Sequence, residues 1–239
     1  MNLVVTAGAT ELAEAAAALV RARLSAKPDL VMAVPAGRTP RPMYEALRRL
    51  QERAPVDYSR MCVFCVDELC PPAPPDGYFW RQITREFLTW AAVPARHCHP
   101  FRVDAEDLDG MCRAYEAAIA EAGGLDLVML GLGPNAHLAS NEPGAPFGSV
   151  TRLVPLLPET VRYILTDAVI QGSVSPRAVT LGLATIMAAR EVVVLVSGSG
   201  KREPLRRLLA GVATTDVPAS VLTGHSNCTI LTDRDARSG

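Results

Sequence analysis

The chemistry in this chain concentrates in one stretch, Leu130-Gly131-Leu132-Gly133-Pro134-Asn135-Ala136-His137-Leu138-Ala139-Ser140-Asn141-Glu142-Pro143. It follows the apolar run Leu125 to Leu130, which reads as a buried parallel strand. A strand that ends in Gly-x-Gly leaves backbone N–H groups free to face a ligand, because glycine accepts positive φ without a Cβ clash. The turn carries His137, one of only four histidines, with an amide (Asn135) two residues before it and a carboxylate (Glu142) five residues after. An imidazole with polar partners beside a strand's C-terminal end is an acid/base device.

Three further loops carry polar residues of the same kind. Pro35-Ala36-Gly37-Arg38-Thr39-Pro40 and Ser197-Gly198-Ser199-Gly200-Lys201 combine glycine, hydroxyl and cation just ahead of a helix. Backbone N–H groups and the helix dipole capture phosphate in that way. Neither is a Walker motif, since the Gly-x4-Gly-Lys-[Ser/Thr] spacing is missing. The third loop, Asp67-Glu68-Leu69, supplies an acid pair. Two anion loops with an acid pair and a histidine between them favour a phosphorylated small molecule as the ligand.

The elements that must position these loops alternate. Strands are expected at Leu3 to Thr6, Leu30 to Val34, Met61 to Val66, Leu125 to Leu130, Glu191 to Ser197 and Cys228 to Thr232. Helices are expected at Glu11 to Ala26, Thr39 to Arg53, Asp76 to Trp90, Asp104 to Ala122, Val179 to Ala189 and Lys201 to Ala210. This βαβ order predicts an α/β fold: one Rossmann-like domain over residues 1–239, doubly wound, with a mostly parallel sheet and helices on both faces. Ligands then bind at the C-terminal strand edges, where all four loops lie. The Pro71–Pro75 cluster reads as a rigid active-site loop.

The length of 239 residues suits one such domain, and 49% hydrophobic with 21% charged residues is ordinary for a globular protein. The net charge of −1 leaves no footprint for nucleic acid or an anionic membrane. The N-terminus lacks the charged segment of a signal peptide, and Glu14, Arg21 and Arg23 break the alanine-rich stretch Leu12 to Leu24. Six cysteines without an export signal point to reduced thiols and a cytoplasmic protein.

Cys62, Cys65 and Cys70 invite a metal site. On a strand over Met61 to Val66, however, positions three apart point to opposite faces, so Cys62 and Cys65 do not share an ion easily. Gly131-x-Gly133-x-x-Ala136 also fits a dinucleotide fingerprint, which needs a long helix at its end and an acid about 20 residues on. Pro143 and Pro146 interrupt any such helix, and the candidate acid Glu159 follows Pro158 in what reads as a loop.

At these residues the chain resembles the glucosamine-6-phosphate deaminase (isomerase) family, related to the 6-phosphogluconolactonases, over nearly its whole length. Val34 to Leu47 looks like the family's phosphate loop and following helix, Cys65-Val66-Asp67-Glu68-Leu69 like its Asp-Glu-Tyr strand end, and Asn135 to Gly144 like its [Asp/Asn]-Gly-His-Ile-x-Phe-Asn-Glu-Pro-Gly loop. Ala178 to Gly182, Gly198-x-x-Lys201 and Pro218-Ala219-Ser220-Val221-Leu222-x-x-His225 follow in the family's order. The resemblance implies conversion of a hexosamine 6-phosphate to a ketose phosphate plus ammonia, or the reverse, with no metal or other cofactor. It assigns proton transfer between C2 and C1 to Asp67, and protonation of the ring oxygen to His137, oriented by Glu142 and Asn135. It matches Gly37, Thr39 and Lys201 to phosphate-binding positions, and Ala36, Arg38 and Gly133 in the same loops are further candidates for substrate or phosphate contact; a lysine that opens a helix after Ser-Gly-Ser-Gly is expected to face solvent when no ligand is bound. The partner implied is a small sugar phosphate, with room for a homo-oligomer.

The departures from the family pattern are specific. Arg38 occupies a small-residue position and Ala136 replaces a glycine. Leu69, Phe79 and Ser140 stand where the pattern has Tyr, His and Phe, and Val150 replaces an arginine that lines the allosteric site of regulated members. The phosphate arginine expected near Thr166 is missing, with Arg38, Arg162 and Arg177 as substitutes. These changes raise the alternatives of a different amino-sugar phosphate, or of isomerisation without ammonia loss. A lactonase-like hydrolase and a non-catalytic sugar-phosphate sensor are further alternatives; the presence of Asp67, His137 and Glu142 argues against the sensor.

Overall fold

The computed structural model describes residues 1–71, 77–167 and 174–237. Seven parallel strands form the main sheet: β1 (Asn2–Thr6), β2 (Val31–Val34), β3 (Cys62–Cys65), β5 (Cys98–His99), β6 (Leu127–Gly131), β9 (Glu191–Val196) and β10 (Cys228–Asp233), in the order β1-β10-β9-β6-β2-β3-β5. A second, antiparallel sheet holds β4 (Asp67–Leu69), β8 (Arg177–Thr180) and β7 (Arg152–Pro155), with β8 in the middle. The helices are α1 (Ala9–Ala26), α2 (Arg41–Arg53), α3 (Phe79–Ile83), α4 (Thr89–Ala91), α5 (Leu108–Glu121), α6 (Pro158–Leu165), α7 (Leu183–Met187), α8 (Arg202–Leu209) and α9 (Arg234–Arg237).

The central strands read as unbroken apolar runs because a sheet covered on both faces buries every side chain. All six positions of β9 are buried, as are all four of β2. In α1 the buried residues Leu12, Ala13, Ala16, Ala17, Val20 and Leu24 recur at helical spacing. Strand order sets the site. From β2 the chain continues to β3 on one side, while from β6 it continues to β9 on the other. Right-handed crossovers therefore leave a crevice between the C-terminal ends of β2 and β6. The Gly37 and His137 loops leave from those two strands.

Six strands of the parallel sheet and most of its helices lie where the sequence puts them, whereas the two-residue edge strand β5 was not expected. The second sheet is an addition, and it corrects one expected helix. Val179 and Thr180 belong to β8, and helix α7 starts only at Leu183. The β-branched pair matches a strand, and β8 registers Thr180 against Asp67 and Ala178 against Leu69. Gly182 marks the break, since a Cβ there would overlap the Ser149 carbonyl. The helix expected over Asp76 to Trp90 starts at Phe79 and passes through a π-helical stretch, Thr84–Leu88, before α4; Asp76 and most of the Pro71–Pro75 cluster lie outside the described residues. Glu159, expected in a loop, lies in the first turn of α6 with Pro158 as its opening residue.

Candidate active site

Four strand-end loops converge on one cleft of about 150 Å³, lined among others by Gly37, Arg38, Asp67, Gly133, His137 and Lys201. Its parts are easiest to follow one strand at a time.

After β2, the Tyr44 hydroxyl donates to the Pro35 carbonyl at 2.6 Å and holds the start of the loop. Gly37 adopts φ +94°, which only glycine takes without strain. The Gln82 side chain brackets it: Gly37 N–H donates to Gln82 Oε1 at 3.1 Å and Gln82 Nε2 donates to the Gly37 carbonyl at 3.0 Å. Gly37 therefore shapes the loop, while its own N–H is engaged by Gln82. Ala36 and Thr39 line the same cleft, ahead of the start of α2.

After β3, the chain leaves the parallel sheet at Val66, whose N–H donates to Val34 and whose carbonyl accepts from Leu181. Asp67 then opens the antiparallel sheet, at the seam between the two. The acid pair divides its roles here. Glu68 turns inward, 1% exposed, and accepts backbone N–H bonds from Leu69, Tyr78, Phe79 and Trp80, which caps the start of α3. Gly77 makes that wrapping possible, since a Cβ at its positive φ would overlap the Glu68 carboxylate. Asp67 faces the cleft. Burial pushes its pKa up to about 7, against a lowering hydrogen bond from Ser140 and with a smaller raising contribution from Glu68. A carboxylic acid poised near neutrality is matched to general-base work.

After β6, the Asn135 to Glu142 loop assembles a polar triad. His137 Nδ1 lies 3.5 Å from Glu142 Oε2, an ion-pair distance slightly beyond hydrogen bonding. Asn135 Nδ2 donates to the same Oε2 at 2.7 Å, and Asn135 Oδ1 accepts the His137 backbone N–H at 3.2 Å. Asn135 thus orients the imidazole through Glu142 and through the backbone, without touching the ring. For Glu142, burial alone would raise the pKa, but His137, Thr160 and Asn135 outweigh it and bring the carboxyl down to about 2. Glu142 therefore stays anionic beside the Nδ1 edge of His137. Gly133 serves this group sterically: a Cβ there would overlap the His137 ring at Cδ2, Nε2 and Cε1. The Pro218 to Ser220 segment holds the loop from behind, with Ala219 N–H donating to the Ala136 carbonyl at 3.0 Å. His225 in the same motif is structural. Its Nδ1 accepts from Asn227 N–H at 3.0 Å, so Nε2 carries the proton and donates to Ala189 at 2.9 Å.

After β9, Asp233 accepts from the Ser197 hydroxyl and from Gly198 N–H, fixing the turn that precedes Lys201. Lys201 is not solvent-facing, contrary to the sequence expectation. It is 8% exposed, and its ammonium sits 4.8 Å from the Tyr163 ring centroid. The side chain is drawn inward because α6, which the sequence reading missed, supplies an aromatic face. Arg38 lies over the same ring at 4.3 Å, with Nη1 donating to Thr166 Oγ1 at 2.9 Å. Burial would raise the Tyr163 phenol, but Lys201 and Arg38 bring it below its ordinary value. Arg38 therefore reaches Thr166, near which the sequence lacks the arginine of the family pattern. Arg162 and Arg177 are exposed and do not line the cleft.

Of the departures, Phe79 and Ser140 line the cleft, whereas Leu69 is buried in the small sheet's core against Val154, Leu156 and Ala178. Tyr163, Gln82 and Thr160 are cleft residues that sequence reasoning missed. Their helices carry no motif, although the amphipathic spacing of Val161, Ile164 and Leu165 after Pro158 is a signal that could have revealed α6. Among the described residues no cluster of three or more His, Cys, Asp or Glu side chains is placed to hold a metal ion, and the six cysteines are unpaired.

Fold and cleft together define a doubly wound α/β protein with an acid/base site and clustered cations at its strand ends. The chain belongs to the family of glucosamine-6-phosphate isomerases and 6-phosphogluconolactonases, whose model matches residues 5–231. It is 33% identical to a glucosamine-6-phosphate deaminase of Thermoanaerobacter sp. (strain X514), covering all of this chain and 94% of that protein. It is 34% identical to glucosamine-6-phosphate deaminase 1 of Bacillus subtilis (strain 168), covering 95% of each. A solved structure described as a monomeric glucosamine-6-phosphate deaminase superposes with a TM-score of 0.92 at 31% identity, over 100% of this chain and 99% of that one. The 6-phosphogluconolactonase of Trypanosoma cruzi shares the fold, with a TM-score of 0.79 at 22% identity over 98% of this chain and 95% of that one.

Proposed function

We propose that this chain is an amino-sugar phosphate isomerase-deaminase that converts glucosamine 6-phosphate and water to fructose 6-phosphate and ammonia, or runs the reverse. The observation that carries this reading is a buried carboxyl with a pKa of about 7, Asp67, on the same cleft as the His137–Glu142 pair. His137 delivers a proton to the ring oxygen as the sugar opens. Asp67 then takes the C2 proton and returns it to C1 through a cis-enolamine, since one base reaches two adjacent carbons. Water adds to the resulting C2 iminium, and ammonia leaves as the ketose forms. Each step is a proton transfer, an addition or an elimination, with no electron transfer. Lys201 and Arg38 supply the cationic end of the cleft for the phosphate, with the Ala36 to Thr39 loop beside them. The chain acts as one domain, and its six free thiols fit a cytoplasmic setting. Among the described residues no helix is long and apolar enough to cross a membrane.

Phe79 and Ser140 on the cleft wall favour one second reading, a different amino-sugar phosphate as the preferred substrate. A panel of hexosamine 6-phosphates assayed for ammonia, with 6-phosphogluconolactone hydrolysis as a separate arm, tests both. Glucosamine 6-phosphate is expected to give the highest kcat/KM. Ammonia from another epimer alone supports the second reading, and lactone hydrolysis without ammonia contradicts both.

The phosphate assignment carries its own prediction. Lys201→Ala is expected to collapse the preference for a 6-phosphorylated sugar over the free sugar, and to lower stability modestly because the stem is buried. Arg38→Lys is expected to weaken phosphate-sugar binding despite keeping the charge, since a guanidinium holds phosphate in a bidentate geometry that lysine lacks. Binding constants for phosphorylated and free sugar check both. If Arg38→Gly binds glucosamine 6-phosphate as well as the wild type, Arg38 serves only to tie its loop to α6.

A further inference from the structure

The general base has a partner that no motif announced. Ser140 Oγ donates to Asp67 Oδ2 at 2.7 Å, and Ser140 is 5% exposed. The residues on either side help to fix this serine. Its own N–H donates to Thr180 Oγ1 at 3.1 Å, and Thr180 is fully buried and directly opposite Asp67 in the β4–β8 register. The next residue, Asn141, is anchored through Nδ2 to the Leu138 and Leu181 carbonyls and through Oδ1 to Arg152. The preceding residue, Ala139, takes φ +49°, a left-handed conformation that a side chain disfavours and that the surrounding bonds must hold. The loop carrying His137 and Glu142 thus turns back to reach the base.

We propose that Ser140 is a positioning residue for Asp67, holding Oδ2 so that Oδ1 alone carries the proton between C2 and C1. This inference rests on the isomerase-deaminase reading. Phenylalanine, the residue of the family pattern resembled here, offers no hydrogen bond, whereas Ser140 makes one. It also couples the two halves of the chemistry, because one rigid loop sets both the acid His137 and the rotamer of the base. A hydrogen bond to the charged form favours ionisation, so Ser140 draws the Asp67 pKa back towards neutrality where burial alone would leave more of it protonated. Other titratable or charged groups near Asp67 are Glu68 on its own strand, Cys65 at the end of β3, His137 and Lys201 on neighbouring loops, and Arg152 on β7. Arg38, Tyr163 and Asp167 line the same cleft.

The test compares wild type, Ser140→Ala and Ser140→Cys, the last keeping size with a weaker donor. The Asp67 carboxyl is titrated by carbon-13 NMR without substrate, and kcat and KM for glucosamine 6-phosphate are followed against pH. In Ser140→Ala the carboxyl pKa and the acidic limb of kcat/KM are expected to rise by about one unit, the size of one lost charge-assisted bond. At pH 7, kcat is expected to fall by about tenfold while KM stays within about twofold, with Ser140→Cys between the two. A working wild type whose Ser140→Ala variant titrates and turns over as it does overturns the role of Ser140 alone. A wild type that yields no ammonia overturns the functional reading, and the proton-carrying role with it.

Discussion

Asp67→Asn is expected to abolish the C2-to-C1 proton transfer while leaving sugar-phosphate binding within a few-fold of wild type. An amide cannot take a proton at neutral pH, and losing a positioned general base costs about 10²–10⁴ in rate. Exchange of the C1 hydrogen of fructose 6-phosphate in D2O reports this step without ammonia. Exchange at the wild-type rate in the variant would assign the base elsewhere. The same substitution has an opposite effect on stability. The folded-state pKa of about 7 lies above the ordinary 3.8, so the folded protein binds this proton more tightly than the unfolded chain does. The stability contributed by that proton is full below about pH 4 and is lost as pH rises through 7. Asparagine stays neutral, so the variant should gain about 1–3 kcal/mol over wild type at pH 8 and nothing at pH 4. The gain falls short of the roughly 4 kcal/mol of a dry three-unit shift because the cleft admits water. Denaturant melts at the two pH values check it, and equal stability at pH 8 would mean that Asp67 ionises without penalty.

Gly133→Ala is expected to be nearly as damaging, for a steric reason. The added methyl occupies the volume of the His137 imidazole, so the ring must leave its place beside Glu142. A displacement of about 1 Å at a reacting group costs about 10²-fold. The prediction is kcat/KM down by at least that factor, with a stability cost of about 1–3 kcal/mol for overpacking. A double-mutant cycle isolates the cause. In a His137→Ala background, which vacates the ring, Gly133→Ala should cost less than about threefold. A full 10²-fold loss in that background would show instead that Gly133 meets the substrate directly.

The sequence carried the parallel sheet and the ends of its strands because buried parallel strands leave strong apolar runs and glycine marks the turns that follow them. His137, Glu142, Asn135, Arg38 and Lys201 stand in loops at strand ends and Asp67 stands just past the end of β3, so their shared edge was legible from topology alone. The small antiparallel sheet was not. Its strands are three or four residues long, and only Leu181 and Gly182 separate β8 from helix α7, so local pattern favours a single helix. Helix α6 was lost for the same reason, having eight residues and a proline at its head. Missing α6 removed Tyr163, and without Tyr163 nothing in the sequence indicated that Lys201 folds inward. The role of Gly133 and the contact between Ser140 and Asp67 depend on three-dimensional proximity across 4 and 73 positions. Spacing carries no signal of that kind, and the phenylalanine-to-serine departure was visible only as a change of type.

The central claim is that this cleft isomerises and deaminates a hexosamine 6-phosphate by proton transfer alone. One measurement meets it directly: purified protein, exhaustively treated with chelator, is mixed with glucosamine 6-phosphate while ammonia and fructose 6-phosphate are quantified together. The account predicts both products in a one-to-one ratio, undiminished by chelation and with no absorbance change from added nicotinamide cofactor. Ketose phosphate without ammonia, or turnover that requires an added divalent ion, would contradict it.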